Sequence, residues 1–464
     1  MERRRCDADD IVFFASCDGL PHLVTLPRGP IEEIGIVYNK MKVCFVTGDS
    51  PREIGGASSG LMRLLPFLRL AGIELELHVM ASGGRPGVIC AFCEQQGIPV
   101  RRMPILLHLP YGVRGLLKLL EDSQPDIYIP NHMVPAFYAA GYARRAGIPT
   151  IGILRTDDLY YRGIEDEFIN GDPDFRVSAV VAVSSFLESQ IRSAAAAVGV
   201  LVRRIPSGVP IPERAAVLPR SVFRLIYTGN LTDIQKRISD VTNALCTATQ
   251  TIPNLEVWIV GEGVARPAVE KLIRERGMAT KVKLLGWVHN DQIYDLLAQC
   301  HSLVLLSDCE GMPVSVMEAM ATGVVPICLD TRSGIREAIE HGVNGLIVKD
   351  RAADFLAAVM ELQSKPAKWQ QLSLAARETA RQRFSIEECA RQWTDLLESL
   401  HRPRTARAVF KAPRILRLPA PDPKFDIFGM TIPWRGRVSE YIQSTPPLYR
   451  MAKLALAAGR KVLK

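Results

Sequence analysis

Met41-Lys-Val-Cys-Phe-Val-Thr47-Gly48, then Gly55-Gly56 and Gly60, then Leu61, Leu64, Leu65 and Leu68, then Ile73-Glu-Leu-Glu-Leu-His-Val-Met80: the fold is decided by this stretch. A short apolar run bounded by glycine reads as a strand, and leucines three and four apart read as the inner face of a helix. Strand, glycine-bearing loop, helix and strand make a βαβ unit, whose crossover sets the two strands parallel. Further strands are expected at Val100–Arg102, Ile127–Pro130, Thr150–Leu154 and Val177–Val183, with helical stretches between them. Ile205-Pro-Ser-Gly-Val-Pro-Ile-Pro212 carries three prolines in eight residues and breaks both helix and central strand. A second series then begins, with strands at Arg224–Thr228, Leu255–Val260, Val282–Leu285, Ser302–Leu306 and Val324–Leu329.

The fold class predicted is α/β, two Rossmann-like doubly wound domains facing across a cleft. The expected divisions are an N-terminal extension over 1–40, a first domain over 41–205, a linker over 206–222, a second domain over 223–400 and a tail over 401–464. With 464 residues, each domain is long enough for its own core. Hydrophobic residues at 48% and charged residues at 23% exclude a disordered chain. The ten cysteines, several inside apolar runs, read as reduced thiols, and Cys90-x-x-Cys93 lacks a second pair at zinc spacing. No apolar run reaches the roughly 20 residues needed to span a bilayer, and no secretory leader is expected.

The net charge of +8 is uneven. Residues 401–464 hold 14 Lys/Arg against 3 Asp/Glu and 8 of the 31 prolines, so residues 1–400 are near neutral. That composition predicts an extended basic strap suited to an anionic partner. On a helical wheel, Leu448, Met451, Ala452, Ala455, Val462 and Leu463 oppose Arg450, Lys453, Arg460 and Lys461, a basic amphipathic helix. It suits an anionic membrane surface or docking on the protein itself. Sparse aromatics and the lack of a recognition motif speak against nucleic acid.

Ligands of such sheets bind beyond the carboxyl ends of the strands, so chemistry is sought in those loops. In Ser307-Asp-Cys-Glu310-Gly311-Met312-Pro313-Val-Ser-Val-Met-Glu318, proline opens a helix, Glu310 precedes its N-terminus and Glu318 lies inside it. Two carboxylates so spaced can grip different parts of one extended ligand while the helix's first N–H groups face an anion. Either glutamate alone would read as a solvated acid. Gly229-Asn230 followed by Lys236-Arg237 offers two cations at a strand mouth, suited to a diphosphate. Gly55-Gly56 permits close backbone approach to phosphate or acceptor, though turn chemistry explains it about as well. Asn131-His132 follows a strand end and could meet the ligand from the opposite domain, although a lone histidine is more often structural. Asp157 and Asp158, after Arg155, read as capping or solvated acids more readily than as metal ligands. Neither a nucleophile elbow, a P-loop nor HExxH occurs.

Together with Val260-Gly261-Glu-Gly263, Leu285-Gly286-Trp-Val, Thr331-Arg-Ser-Gly334-Ile-Arg-Glu337 and Gly342-Val-Asn-Gly345, these residues resemble the retaining nucleotide-sugar-dependent glycosyltransferases of family 4, with the GT-B fold, over about Met41–Leu400. The resemblance implies that Glu318 binds the nucleotide ribose, Glu310 the donor sugar hydroxyls and Lys236 the diphosphate. It also implies that His132 contacts the sugar near the anomeric centre and that the Gly55-Gly56 loop nears phosphate and acceptor. His132 and Glu310 are thus the expected catalytic residues. Gly55, Gly56, Gly229, Asn230, Lys236, Arg237, Gly261, Gly311, Met312, Pro313 and Glu318 are the expected donor-binding set. Asn230 departs from the pattern, standing where the family usually has an arginine beside the lysine.

The implied reaction is hexosyl transfer with retention, without metal or cofactor. The implied partners are a nucleotide-diphosphate sugar and a glycan or lipid-linked acceptor, in a cytoplasmic protein peripheral to the inner membrane face. Two alternatives stay open at this point: a nucleotide-sugar epimerase of the same fold, and a non-catalytic sugar-nucleotide-binding protein.

Overall fold

The computed structural model describes residues 41–49, 55–81, 86–105, 108–402, 408–419 and 423–426. The expected extension over 1–40 and the basic amphipathic helix near the C-terminus lie outside the described residues.

The first lobe alternates β1 (Lys42–Asp49), α1 (Gly56–Leu70), β2 (Glu74–Ala81), α2 (Val88–Gln95), β3 (Val100–Pro104), α3 (Leu109–Ser123), β4 (Ile127–Pro130) and α4 (Val134–Arg145). It continues with β5 (Ile151–Leu154), α5 (Leu159–Phe168), β6 (Ala179–Ala182), α6 (Ser185–Ala197) and β7 (Leu201–Arg204). Strands β3-β2-β1-β4 form one parallel sheet and β5-β6-β7 another, joined by a bridge between Tyr128 and Thr150. Val43 and Phe45 of β1 face one apolar cluster and Cys44 and Val46 another, so the strand is buried on both faces. That explains its unbroken apolar run, where a half-exposed strand would alternate.

The second lobe runs β8 (Phe223–Thr228), α7 (Ile238–Thr251), β9 (Leu255–Val260), α8 (Arg266–Glu275), β10 (Val282–Gly286), α9 (Asn290–Leu297) and β11 (Ser302–Leu305). Then come α10 (Val314–Ala321), β12 (Val325–Leu329), α11 (Ile335–Ala338), β13 (Leu346–Val348), α12 (Ala353–Ser364), α13 (Pro366–Phe384) and α14 (Ile386–Leu400). Its parallel sheet has the order β10-β9-β8-β11-β12-β13. Each lobe reverses its winding beside its first strand, between β1 and β4 and between β8 and β11, which opens a crevice at those strand ends. Neither β7 nor β13 was anticipated: one is a four-residue edge strand ending in two arginines, the other only three residues long.

The chain then returns to the first lobe. Val209 bridges to Ser385, whose hydroxyl caps α14 by accepting from Glu388 N, and Trp393 of α14 lies 6.2 Å from Phe45 between ring centroids. One apolar cluster therefore joins β1 and α1 through α14 to α10 and β11. Residues 408–419 run without regular structure along the first lobe and bury Phe410 there. The described cysteines are all free, and burial pushes the Cys90 and Cys93 thiols up to about 12, as suits packing groups on α2. Among the described residues no helix is long and apolar enough to cross a membrane.

His301, at the start of β11, is 7% exposed and stacks on Phe223, and its Nδ1 accepts from the Arg224 backbone N–H at 2.8 Å. Burial, with the Arg224 charge adding to it, lowers its pKa from 6.5 to about 4. The folded chain therefore binds fewer protons than the unfolded chain between those values. The resulting stability is complete above pH 6.5 and lost as pH falls toward 4, by up to about 3 kcal/mol. Urea unfolding at pH 7.5 and 4.5 is expected to give a drop in stability that His301→Asn reduces by about 2–3 kcal/mol; an equal drop in both proteins would contradict it.

Candidate functional site

The second lobe's strand-end loops are locked together before any side chain is considered. Gly261, with φ 142°, lies so close to the β8 loop that a Cβ there would stand 1.9 Å from the Gly229 carbonyl oxygen. The Gly229 N–H donates to Val260 O and the Gly261 N–H to Gly286 O. Only glycine fits that approach in that conformation. The β8 loop is tied in turn to the β11 loop, because Gln235 Nε2 donates to Cys309 O at 2.8 Å and the Asp308 N–H to Gln235 O at 3.0 Å.

This zipping brings Lys236 onto Glu310, with Nζ 2.5 Å from Oε1 and both side chains largely buried. Arg237 goes elsewhere. It caps α7 in the left-handed region at φ 52°, and its guanidinium turns to Asp240 and Asp308. Of the two adjacent cations, only Lys236 converges with Glu310. Asn230 is exposed and contributes its backbone carbonyl to the Tyr227 hydroxyl.

Met312 is buried and Pro313 stands as the N-cap of α10, whose first N–H groups receive no side-chain cap. Gly55 caps α1 equally without a side chain, and a Cβ on Gly56 would touch Val314 at 3.4 Å. The N-termini of α1 and α10 thus meet across the cleft, both without an acid in the first turn, and both carry partial positive charge. Glu318, on the second turn of α10, is buried and ion-paired with Arg63 of α1, so this contact spans the lobes.

Closure is tightest at Gly311. A Cβ there would lie 1.7 Å from the Arg155 carbonyl oxygen of the first lobe, and Gly311 O accepts from Gly334 N at 2.7 Å. Glu337 of α11 completes the seam by pairing with Arg204 and accepting from the Ser185 N–H.

On the first lobe, Asn131 is buried and its Oδ1 accepts from Arg155 Nε at 3.2 Å and Nη2 at 3.0 Å. His132 follows in the left-handed region at φ 63°, with Nδ1 3.1 Å from the Tyr161 hydroxyl and its ring 5.0 Å from that of Tyr160. His132 is exposed, with Tyr160 and Tyr161 packed beside its ring. Partial desolvation by these surroundings, with the Arg155 charge adding and Asp158 opposing, lowers its pKa below 6.5, so the ring is neutral near pH 7. Asp158 caps α5 by accepting from the Tyr161 N–H, and Asp157 pairs with Arg162, the structural roles that neighbouring acids suggested. Three of the buried side-chain atoms without a hydrogen-bond partner lie at strand ends: Asn131 Nδ2 after β4, Thr228 Oγ1 on β8 and Ser307 Oγ after β11. Such atoms cost free energy unless something polar meets them.

Sequence reasoning missed Arg63, Tyr160 and Tyr161. A cation among the leucines of α1 was a faint signal for the first, and nothing local marked the tyrosines. Two surface concavities of about 450 and 430 Å³, beside α11 and beside the start of β2, touch none of these residues. Among the described residues no group of three or more His, Cys, Asp or Glu is placed to hold a metal ion.

Gly311→Ala is expected to force the lobes apart at the Arg155 carbonyl, costing about 1–3 kcal/mol in denaturant unfolding. An unchanged midpoint would mean that the two backbones do not meet as described.

Two family profiles match the chain, one on each lobe: Glycosyltransferase Family 4 over residues 54–211 and Glycosyl transferases group 1 over residues 222–365. The amylovoran biosynthesis glycosyltransferase AmsK of Erwinia amylovora is 33% identical over 185 residues, 38% of this chain and 45% of that protein. The lipopolysaccharide 1,6-galactosyltransferase of Escherichia coli K12 is 23% identical over 329 residues, 66% of this chain and 84% of that protein. The match thus spans less than half of the first relative and most of the second. HepE of Anabaena, solved in complex with UDP, superposes with a TM-score of 0.63 at 20% identity, over 77% of this chain and 100% of that one. With a glycosyltransferase profile on each of two doubly wound lobes in that shared architecture, the chain belongs to the family 4 glycosyltransferases of the GT-B fold.

Proposed function

We propose that the protein is a retaining glycosyltransferase that moves a hexosyl group from a nucleotide-diphosphate sugar to a glycan or lipid-linked acceptor in cell-envelope polysaccharide synthesis. The observation that carries this reading is the contact between Lys236 and Glu310 at the mouth of the second sheet. In a nucleotide sugar the diphosphate and the sugar hydroxyls are neighbours, so a cation for one and a carboxylate for the other must also be neighbours. Lys236 would neutralise charge on the diphosphate, aided by the facing N-termini of α1 and α10. Glu310 would accept from sugar hydroxyls. Glu318, its carboxylate held by Arg63, would accept from the ribose. Gly229 would let the donor's diphosphate approach backbone, while Gly261 and Gly311, filled by the Gly229 and Arg155 carbonyls, would set the shape of the loops around it.

His132 enters from the first lobe as a neutral imidazole able to hydrogen-bond the sugar beside its anomeric carbon. In the proposed reaction the bond between that carbon and the diphosphate oxygen breaks as the acceptor hydroxyl adds on the same face, and the departing oxygen takes the acceptor's proton. The chain supplies positioning and electrostatic stabilisation, with no metal or cofactor invoked. With Asn230 where an arginine would stand and Arg237 turned to Asp240, Lys236 is the side-chain cation of the described β8 loop left for the diphosphate. The basic tail fits an anionic surface where lipid-linked acceptors reside, and the two relatives are a glycosyltransferase of amylovoran biosynthesis and a lipopolysaccharide galactosyltransferase.

Thermal-shift measurements against UDP, GDP and ADP are expected to single out one nucleotide, which at 100 times its dissociation constant adds about 2.7 kcal/mol. With the matching sugar donor, Glu310→Ala and Lys236→Ala should each lower hydrolysis and transfer by about 100-fold, a barrier increase of about 2.7 kcal/mol. Unchanged turnover in Glu310→Ala would end this assignment of roles.

A further inference from the structure

Past α14 the tail returns along the first lobe on specific contacts. Gln124, left-handed at the end of α3, exchanges two hydrogen bonds with the Phe410 backbone, receiving at Oε1 from its N–H and donating from Nε2 to its carbonyl. The Tyr142 hydroxyl of α4 likewise donates to Arg417 O at 2.7 Å and accepts from Arg417 N at 2.9 Å. The strap then reaches α5 with a short turn at Pro423–Asp426. There Lys424 pairs with Asp166, and Phe425 fills the space left by Gly163, where a Cβ would stand 2.8 Å from its ring.

Phe425 therefore lands on the helix that holds His132. Its ring stacks on Phe168 at 6.0 Å and meets Tyr160 edge-on at 5.9 Å. Tyr160 lies 5.2 Å from Tyr161 and 5.0 Å from His132. A left-handed conformation at a residue other than glycine is disfavoured and persists only where its surroundings over-determine it. The surroundings here are Tyr160 and Tyr161, and behind them the strap. Tyr161 is buried, with its hydroxyl 3.1 Å from His132 Nδ1; with that hydroxyl as the donor, the neutral imidazole carries its own proton on Nε2.

We infer that the C-terminal strap is a working part of the active site: Phe425 braces Tyr160, and the Tyr160–Tyr161 pair holds the His132 ring with Nδ1 engaged and Nε2–H directed to the donor sugar. Phe425, Tyr160 and Tyr161 are positioning residues, acting through His132. The tail thus contributes to turnover through its described first half, whatever the charge of its remainder binds. This rests on the reading of His132 as a sugar-contacting group.

The test uses the full chain and whichever of UDP-glucose, GDP-mannose and ADP-glucose it hydrolyses. Phe425→Ala is expected to lower kcat about tenfold with the donor KM within twofold, and Phe425→Tyr to restore it. In a His132→Ala background, Phe425→Ala should add nothing, since both act through one ring. Long-range proton–nitrogen correlation spectra of histidine-labelled protein report the tautomer without turnover. They should place the His132 proton on Nε2 in the parent and mix the tautomers in Phe425→Ala and Tyr161→Phe. Phe425→Leu serves where the alanine variant fails to fold. If His132→Ala lowers turnover while the Phe425 variants change neither rate nor spectrum, the strap is plain packing and the inference falls alone. If His132→Ala itself leaves turnover unchanged, the reading of His132 fails and the strap's role in turnover goes with it.

Discussion

Two backbones meet at the centre of this molecule, where Gly311 of the second lobe stands against the Arg155 carbonyl of the first with no room for even a methyl group between them. The contact lies where the carboxyl ends of both parallel sheets are aimed, so it sets the width of the crevice between the two switch points. Around it the lobes are pinned by Arg63 on Glu318, Arg204 on Glu337, and α14 packed on α1. On an open surface a pair such as Lys236 and Glu310 would be worth little in water. In the closed crevice the same charges act through a poorer dielectric, where electrostatic stabilisation of a departing anion is most effective.

That closure explains how the cleft's charges are arranged. Both glutamates of the α10 region have a cation: Glu310 has Lys236 and Glu318 has Arg63. Removing one partner of such a pair costs several kcal/mol, because it strands the other charge away from water. The pairs differ in placement: one lies within the second lobe, joining two strand-end loops, and the other crosses between lobes. The first depends on the zipped loops after β8, β9 and β11, the second on closure itself. A molecule carrying both phosphate and hydroxyl groups matches this arrangement, offering anionic oxygens to Lys236 and the helix N-termini and hydroxyl donors to the carboxylates.

The first lobe works differently, through aromatic packing. The His132 ring is held by Tyr160 and Tyr161, and these in turn are backed by Phe425 from the far end of the described chain. An imidazole kept neutral by its surroundings donates or accepts a hydrogen bond without bringing a second positive charge beside Lys236. The two sides of the crevice therefore differ in kind: the second lobe brings Lys236 and two carboxylates, the first Arg63 and a neutral imidazole.

Much of this was legible in the chain itself. Strands buried on both faces declare themselves as apolar runs, so β1 and β12 were readable, and β9 was readable from its alternation, while the short edge strands β7 and β13 lack either signature. Glu310, Glu318 and Lys236 stood out because their spacing about a strand end and a helix start is a local property. Arg237 looked equivalent to its neighbour, but a left-handed turn at the start of α7 sends its side chain to Asp240, and backbone conformation of that sort is not written in residue type. Sequence by itself determined the two parallel lobes, the loops that carry polar groups and the basic excess of the tail, since period, punctuation and charge are all local. Tertiary structure alone decided that Arg63 meets Glu318 from 255 residues away, that Gly311 lies on Arg155 and that Phe425 backs Tyr160. Those contacts follow from how two lobes and a returning strap close on one another, a geometry that no local pattern encodes.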